Sequence, residues 1–221
     1  MSLADFRTWA VFSDFDGTIS HPDTLNFLAE SFRGVEFRRE IGTKIRSGEI
    51  SLREGIRQEI AAVCGSLPEV LSLLEQHVTI DRSFPPFAHW CKDLEIPVTV
   101  LSGGMRQVIE HLLAPYQLTH LTIVANSLRI VEGQWTLEFL DESPWGHDKA
   151  RAIRQAKEQG LGTVFVGDGF SDRRGAQVAD LVFAKDGLAS FCLGAGIPFT
   201  PFCDFAGVAE SLLKHVSPAN R

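Results

Sequence analysis

The chain has 221 residues, of which 44% are hydrophobic and 22% are charged, and its formal net charge is −7 at pH 7. These values are typical of a globular protein with one good-sized domain, or with one domain and a smaller insert. Because the balance is acidic and no basic stretch stands out against it, we expect neither nucleic acid nor an anionic membrane as a partner. No apolar run reaches roughly eighteen residues and no apolar leader occurs, so we expect no membrane span and no signal peptide.

The four cysteines form no metal-binding or redox pattern. They are Cys64, Cys91, Cys192 and Cys203, and none belongs to a C-x-x-C pair. Only Cys91 has a histidine, His89, two residues away. We therefore predict reduced, partly buried thiols in a protein of the cytoplasm.

The first predicted strand ends in two carboxylates. The apolar run Trp9–Phe12 is followed by Asp14 and Asp16, and then by glycine and threonine. Two carboxylates held this close repel each other unless a cation or a shared proton offsets the charge. A calcium loop of the EF-hand type is excluded, because its required glycine and glutamate positions hold Ile19 and Leu25. The pair therefore indicates a functional site.

A helical pattern follows, and we predict a small helical domain over residues 19–83, inserted into a core formed by residues 1–18 and 84–221. Asp23 could cap its first helix, and Ser51–Glu54 has the form of a capping box. Pro68 stands where the first turn of a further helix is expected. Glycines separate these short amphipathic segments.

The remaining chain alternates between helix and strand. Strands are predicted at 97–101, 121–124, 163–166 and 181–183, a hairpin at 128–131 and 135–139, helices at 87–94, 105–113, 149–159, 172–179 and 205–215, and a loose tail at 217–221. Such alternation with β-branched strands predicts an α/β fold, a doubly wound and mostly parallel sheet covered by helices on both faces.

Polar residues follow each of three predicted strands, where ligands bind in sheets of this kind. Asp14 and Asp16 follow the first strand, Ser102-Gly-Gly104 the second and Gly167–Asp172 the third, while Lys149 opens a helix. Each has an ordinary explanation: a turn, a helix cap, or a solvated lysine. Yet a cation in the first helical turn opposes the helix dipole, and glycine amides at a helix N-terminus can hold a phosphate. Taken together, the polar residues after these three strands and Lys149 predict a metal-dependent phosphatase.

These motifs resemble those of the haloacid dehalogenase superfamily of aspartate-nucleophile phosphatases, over nearly the whole chain. The helical insert resembles the cap of the phosphoserine phosphatase branch. Within that branch, the chain is similar to the methionine-salvage phosphatases that act on 2-hydroxy-3-keto-5-methylthiopentenyl-1-phosphate. This similarity lies in Ile50–Ile56, Ser102–Met105 and Phe183–Leu188.

The resemblance implies a catalytic centre. Asp14 would attack phosphorus to form an aspartyl-phosphate, while Asp16 protonates the leaving group and then activates water. Mg²⁺ would be held by Asp14, by the backbone carbonyl of Asp16 and by Asp168. Lys149 would offset the negative charge of the nucleophile.

The resemblance also implies which residues position the substrate. Ser102 and the Gly103 amide would hold the phosphoryl oxygens in line for attack. Asp172 would orient the catalytic lysine and the waters of the metal ion.

Specificity is expected to come from the insert. Phosphoserine enzymes bind the amino acid through a Glu and an Arg, and the aligned positions hold Asp23 and Glu59. Without that Arg, a substrate carboxylate lacks its counter-charge, so a small phosphorylated metabolite of the methylthio type is expected ahead of phosphoserine. Arg57 lies two residues away, and a shift in register would restore it.

Three alternatives stay open: another small phosphomonoester as substrate, a phospho-accepting signalling module, and a phosphomutase. The signalling module is disfavoured by Asp16, because an acid two residues after the phosphorylated aspartate promotes turnover of the acyl-phosphate. The sequence predicts no oligomeric state.

Overall fold

A computed structural model of the chain describes residues 8–216, and the tail predicted at 217–221 lies outside the described residues. Within these residues the strands are β1 (Trp9–Ser13), β2 (Ser20–His21), β3 (Thr79–Ile80), β4 (Val98–Met105), β5 (Thr122–Val131), β6 (Gln134–Glu138), β7 (Gly162–Gly167), β8 (Leu181–Ala184) and β9 (Thr200–Pro201). The helices are α1 (Thr24–Arg33), α2 (Val35–Ser47), α3 (Leu52–Ala61), α4 (Leu67–His77), α5 (Phe84–Asp93), α6 (Arg106–Leu113), α7 (Lys149–Glu158), α8 (Arg173–Ala176), α9 (Asp186–Ala195) and α10 (Phe205–Val216). In this part of the chain, no helix is long and apolar enough to cross a membrane.

Seven strands form one sheet in the order β6-β5-β4-β1-β7-β8-β9. All neighbours are parallel except β5 and β6, which form the predicted antiparallel hairpin. The chain builds one half of the sheet through β4 and β5, and then returns beside β1 to build the other half. The predicted α/β fold is therefore confirmed, and the strand order reverses at β1, where ligands bind in such sheets.

Helices cover both faces of this sheet, as β1 illustrates. Val11 packs on one face, in a core that includes Phe87 of α5 and Phe205 of α10. Ala10 and Phe12 point to the other face, where α7, α8 and α9 contribute Ile153, Ala176 and Leu188. Because successive side chains of a strand alternate between faces, both layers pack against the same central strand.

Helices α1–α4, which we refer to as the helical insert, lie between the two short strands β2 and β3. Ser20 pairs with Ile80 across this antiparallel pair, so the chain enters and leaves the insert at one place. Asp23 caps α1 by accepting the Asn26 N–H at 2.8 Å, as the sequence predicts. The division into a core and a cap domain at residues 19–83 stays a prediction.

The predicted capping box at Ser51 is only half formed. Ser51 accepts the N–H of Glu54, but the Glu54 side chain turns to Arg57 instead of the cap backbone. The reciprocal arrangement occurs at the start of α4, between Ser66 and Glu69.

Several boundaries differ from the prediction. Two predicted strands merge into the single strand β5, and α5 begins at Phe84 because its two prolines fit the first helical turn. The predicted helix at 172–179 is a short 3₁₀ turn followed by the four-residue α8. Helix α9 is not predicted from the sequence, because Gly187 and Gly194 lower its helix propensity.

Candidate active site

Three neighbouring parallel strands deliver polar side chains to one edge of the sheet. Asp14 follows β1, Ser102 lies near the end of β4, and Asp168 follows β7. Since β1 lies between β4 and β7, these ends are adjacent in space. Lys149 joins them from the first turn of α7.

The ammonium group of Lys149 lies between two carboxylates. It contacts Oδ1 of Asp14 and donates to Oδ1 of Asp172 at 2.7 Å. The side chain of Lys149 is only 1% exposed. Burial alone would lower the pKa of Lys149, but the two carboxylates outweigh it and the pKa is raised. The lysine is therefore a permanently charged partner for Asp14.

Asp172 also makes hydrogen bonds to the loop after β7. Its Oδ2 accepts the backbone N–H groups of Asp168 and Gly169, each at 2.9 Å. The carboxylate thus holds the loop on one side and Lys149 on the other. Asp172 is fully buried and contacts Lys149, and the orienting role expected for it stays a prediction.

Asp168 is fixed by two residues that follow the first strand. Its Oδ1 accepts the hydroxyl of Thr18 at 2.8 Å. Gly17 has a φ of +84°, and a Cβ at this position would lie 2.6 Å from Oδ2 of Asp168. The glycine of the first motif is therefore required both by its backbone conformation and by the close approach of Asp168.

Three carboxylates form a cluster that fits a hard divalent cation. One oxygen from each of Asp14, Asp168 and Asp172 lies within 4.8 Å of the others. Burial, and then the charge of Asp172, raise the pKa of Asp14 well above its usual range and that of Asp168 to about 6. Oxygen donors of this kind are preferred by Mg²⁺, and a cation would relieve the repulsion among them.

The side chain of Asp16 does not belong to this cluster. Its Oδ1 accepts the N–H and the hydroxyl of Thr24, at the start of α1, and its Oδ2 accepts the Ser102 hydroxyl at 3.1 Å. Asp16 thus connects the end of β1 with both β4 and the helical insert. No sequence signal marks Thr24 as its partner.

The segment Ser102–Gly104 belongs to the extended end of β4, and the next helix begins only at Arg106. Its glycines therefore do not form a helix N-terminus, contrary to the sequence interpretation. The Gly104 N–H donates to Ser102 Oγ at 2.8 Å. A Cβ at Gly104 would lie 2.8 Å from Oδ2 of Asp16, so the glycine makes room for that carboxylate.

A cavity of about 360 Å³ lies between this edge of the sheet and the helical insert. The sheet side includes Asp14, Asp16, Ser102, Gly103, Asp168, Phe170 and Arg173. The insert side includes Asp23, Leu25, Asn26, Arg38, Ile45, Arg46, Leu52, Ile56 and Glu59. The carboxylates of Asp14 and Asp16 therefore face one common space with the insert, whereas Lys149 does not line it.

Arg57 does not reach this cavity. It is exposed and pairs with Glu54, one turn earlier on α3, at 2.8 Å. Arg38 and Arg46 of α2 line the cavity instead. A substrate carboxylate in this cavity would therefore not lack a counter-charge, contrary to the expectation from the sequence. Both arginines lie on one face of α2 with Gly42 between them, a spacing that also fits a solvated helix surface.

Comparisons with known proteins identify the family. A family model described as haloacid dehalogenase-like hydrolase matches residues 11–177. "Pdp3-interacting factor 1" of Schizosaccharomyces pombe is 35% identical over 96% of this chain and 98% of its own. "Polyol phosphate phosphatase PYP1" of Saccharomyces cerevisiae is 30% identical over 91% of each chain.

A second group of relatives carries the name "2-hydroxy-3-keto-5-methylthiopentenyl-1-phosphate phosphatase". The protein of that name from Bacillus thuringiensis is 30% identical over 93% of this chain and 96% of its own. Among solved structures, a phospho-aspartyl intermediate analogue of phosphoserine phosphatase has the same fold, with a TM-score of 0.73, 19% identity and coverage of 93% and 99%. The chain belongs to the haloacid dehalogenase-like hydrolases and is a phosphomonoester hydrolase of that family.

Proposed function

We propose that this phosphatase works through an aspartyl-phosphate formed on Asp14. The observation that carries the proposal is the contact between Asp14 and Lys149 at the base of the cavity. A carboxylate nucleophile must approach a phosphate that is itself an anion, so a buried, fixed positive charge beside it lowers the barrier. One oxygen of Asp14 contacts the lysine, which leaves the other for attack on phosphorus.

Asp16 is proposed as the general acid and base. It lies in the cavity near the nucleophile, and its carboxyl is oriented by Thr24 and Ser102. In the first step Asp16 gives a proton to the leaving alkoxide. In the second step it takes a proton from the water that hydrolyses the aspartyl-phosphate.

The predicted cofactor is Mg²⁺, for which the carboxylate cluster supplies suitable oxygen donors. Asp14 and Asp168 would hold it together with the backbone carbonyl of Asp16, and Asp172 would support the loop that carries Asp168. When bound, the ion neutralises charge on the transferring phosphoryl group. Ser102 and the Gly103 N–H, both at the cavity wall, are proposed to hold phosphoryl oxygens.

The proposed substrate is a small phosphorylated metabolite, with 2-hydroxy-3-keto-5-methylthiopentenyl-1-phosphate as the first candidate. Support comes from the Bacillus relatives of that name and from the apolar side chains of Leu25, Ile45, Leu52 and Ile56 in the cavity. A polyol phosphate is the second candidate, supported by the yeast relative and by the polar wall near Glu59. The cytoplasmic location stays a prediction.

The proposal is tested by phosphate release in the presence of Mg²⁺ from three substrates side by side: the methylthio enol-phosphate, a polyol phosphate and phosphoserine. Asp14→Asn serves as the blank. A higher kcat/KM for the enol-phosphate supports the first candidate, and a higher value for the polyol phosphate supports the second. A preference for phosphoserine would reject both and point to Arg38 or Arg46 as the carboxylate ligand.

A further inference from the structure

Glu59 is a buried carboxylate without a partner. Its side chain, on α3, is 6% exposed and lines the cavity. Among residues 8–216 its carboxylate makes no hydrogen bond and no ion pair, and the charged groups that act on it are Arg38 and Asp23. An unpaired buried carboxylate is destabilising, since its charge loses hydration without compensation. Packing alone therefore does not explain a glutamate at this position, where an apolar residue would fit the insert.

Two charged residues interact with Glu59: Arg38, on the neighbouring helix α2, and Asp23, which precedes α1. Burial raises the pKa of Glu59 to about 7, and the guanidinium of Arg38 opposes this rise. Arg38 Nε donates to Asn26 Oδ1 at 2.7 Å, which fixes the guanidinium at the cavity wall. Its other N–H groups have no hydrogen-bond partner among the described residues. The wall thus presents an acceptor and donors side by side, with opposite charges.

We propose that Glu59 and Arg38 bind hydroxyl groups of the leaving group, and so select hydroxylated phosphomonoesters. This inference rests on the proposed function, because it places the phosphate at Asp14 and the leaving group toward the insert. A hydroxyl can donate to Glu59 and accept from Arg38 at the same time. Each hydroxyl missing from the leaving group leaves Glu59 or Arg38 without that hydrogen bond, which weakens binding. The wall therefore fits a hydroxyl-bearing leaving group.

The test uses a matched pair of substrates, glycerol 3-phosphate and propyl phosphate, which share a three-carbon chain and differ only in two hydroxyls. The readout is the ratio of their kcat/KM values. The wild type should favour glycerol 3-phosphate by about 10-fold or more, the worth of a hydrogen bond to a charged group. Glu59→Met should reduce this ratio by about the same factor.

Two further variants test whether the ratio depends on the carboxylate of Glu59. Glu59→Gln keeps a carbonyl acceptor without the charge, so its ratio should fall less than that of the Met variant. Glu54→Met removes a carboxylate from the same helix but outside the cavity, and should leave the ratio at the wild-type value. The ratio of the two kcat/KM values can be measured on the wild type alone. It therefore tests the inference even if a substitution at Glu59 prevents folding.

The outcomes separate this inference from the proposed function. A wild-type ratio near one, or a ratio that stays unchanged in both Glu59 variants, overturns the inference while Asp14-dependent turnover persists. Loss of Asp14 dependence, measured as equal turnover of p-nitrophenyl phosphate by wild type and Asp14→Asn, overturns the proposed function instead.

Discussion

Lys149 contacts Oδ1 of Asp14 although 135 residues separate them in the sequence. Both side chains are buried, with 1% and 5% exposed. The parallel arrangement of β1 and β7 makes this contact possible, because α7 leads into β7 and so begins near the functional edge of the sheet. The lysine is fixed in place before any substrate binds.

Lys149→Met should destabilise the metal-free protein strongly, because Asp14 and Asp172 would then lie buried without a counter-charge. The expected loss is about 3–5 kcal/mol in the free energy of unfolding, measured by urea denaturation with a chelator. Lys157→Met on the same helix removes a partly exposed ion pair with Asp180 and should cost at most about 1 kcal/mol. Equal losses in the two variants would contradict the special role of Lys149.

Gly17→Ala should weaken metal binding and turnover by displacing Asp168. The new Cβ would lie 2.6 Å from a carboxylate oxygen of Asp168, in a backbone with φ of +84°. Gly48→Ala is the matched control, since Gly48 has a φ of +77° but no atom within 4 Å of such a Cβ. Both variants should lose about 1 kcal/mol of stability from backbone strain. Only Gly17→Ala should need more Mg²⁺ for half-maximal activity.

Asp16→Asn should lower kcat by about 10²- to 10⁴-fold with an alkyl phosphate, the usual contribution of a general acid or base. With p-nitrophenyl phosphate the loss should be smaller, because that leaving group departs without a proton. The comparison uses kcat values for both substrates in both proteins. Identical losses would argue against proton donation by Asp16 and favour a structural role through Thr24 and Ser102.

Glu59 should make the protein less stable as the pH rises. The pKa is about 7 in the folded state and near 4.5 when unfolded, so the folded state binds more protons between these values. The free energy of unfolding therefore falls through this interval as the pH increases. Glu59→Gln removes the effect, so its stability relative to wild type should rise by about 2–3 kcal/mol between about pH 5 and pH 8.5.

Urea denaturation of both proteins with a chelator measures this difference. Glu54→Gln controls for the loss of one charge on the same helix, at a side chain that is 35% exposed. A difference between Glu59→Gln and wild type that is constant across the pH range would show that Glu59 does not titrate in this interval.

The sequence predicts the architecture well because strand and helix differ in hydrophobic period. The apolar run before Asp14 can only be buried between two neighbouring strands, and it becomes the central strand β1. Element ends are harder to predict, because local side-chain contacts determine them. Asp172, for example, uses its carboxylate to hold the loop after β7, and the regular helix begins only afterwards.

The sheet side of the site follows from the residues that come after each strand, since parallel strand ends meet at one edge. Asp14, Asp168 and Lys149 are brought together in this way. The insert side of the site cannot be predicted in this way, because it depends on how α2 and α3 pack over that edge of the sheet. Arg38 has the pattern of a surface arginine, and Arg57 is close in sequence to the expected position but points outside the cavity.

The most direct test of the account is to locate the phosphoryl group on the enzyme during turnover. Asp16→Asn protein, in which hydrolysis of the intermediate is slowed, is mixed with p-nitrophenyl phosphate and Mg²⁺, quenched in acid and digested for mass spectrometry. The account predicts one phosphoryl group on Asp14, and none in the Asp14→Asn/Asp16→Asn double variant. A phosphoryl group on another residue, or substantial turnover by Asp14→Asn alone, would contradict it.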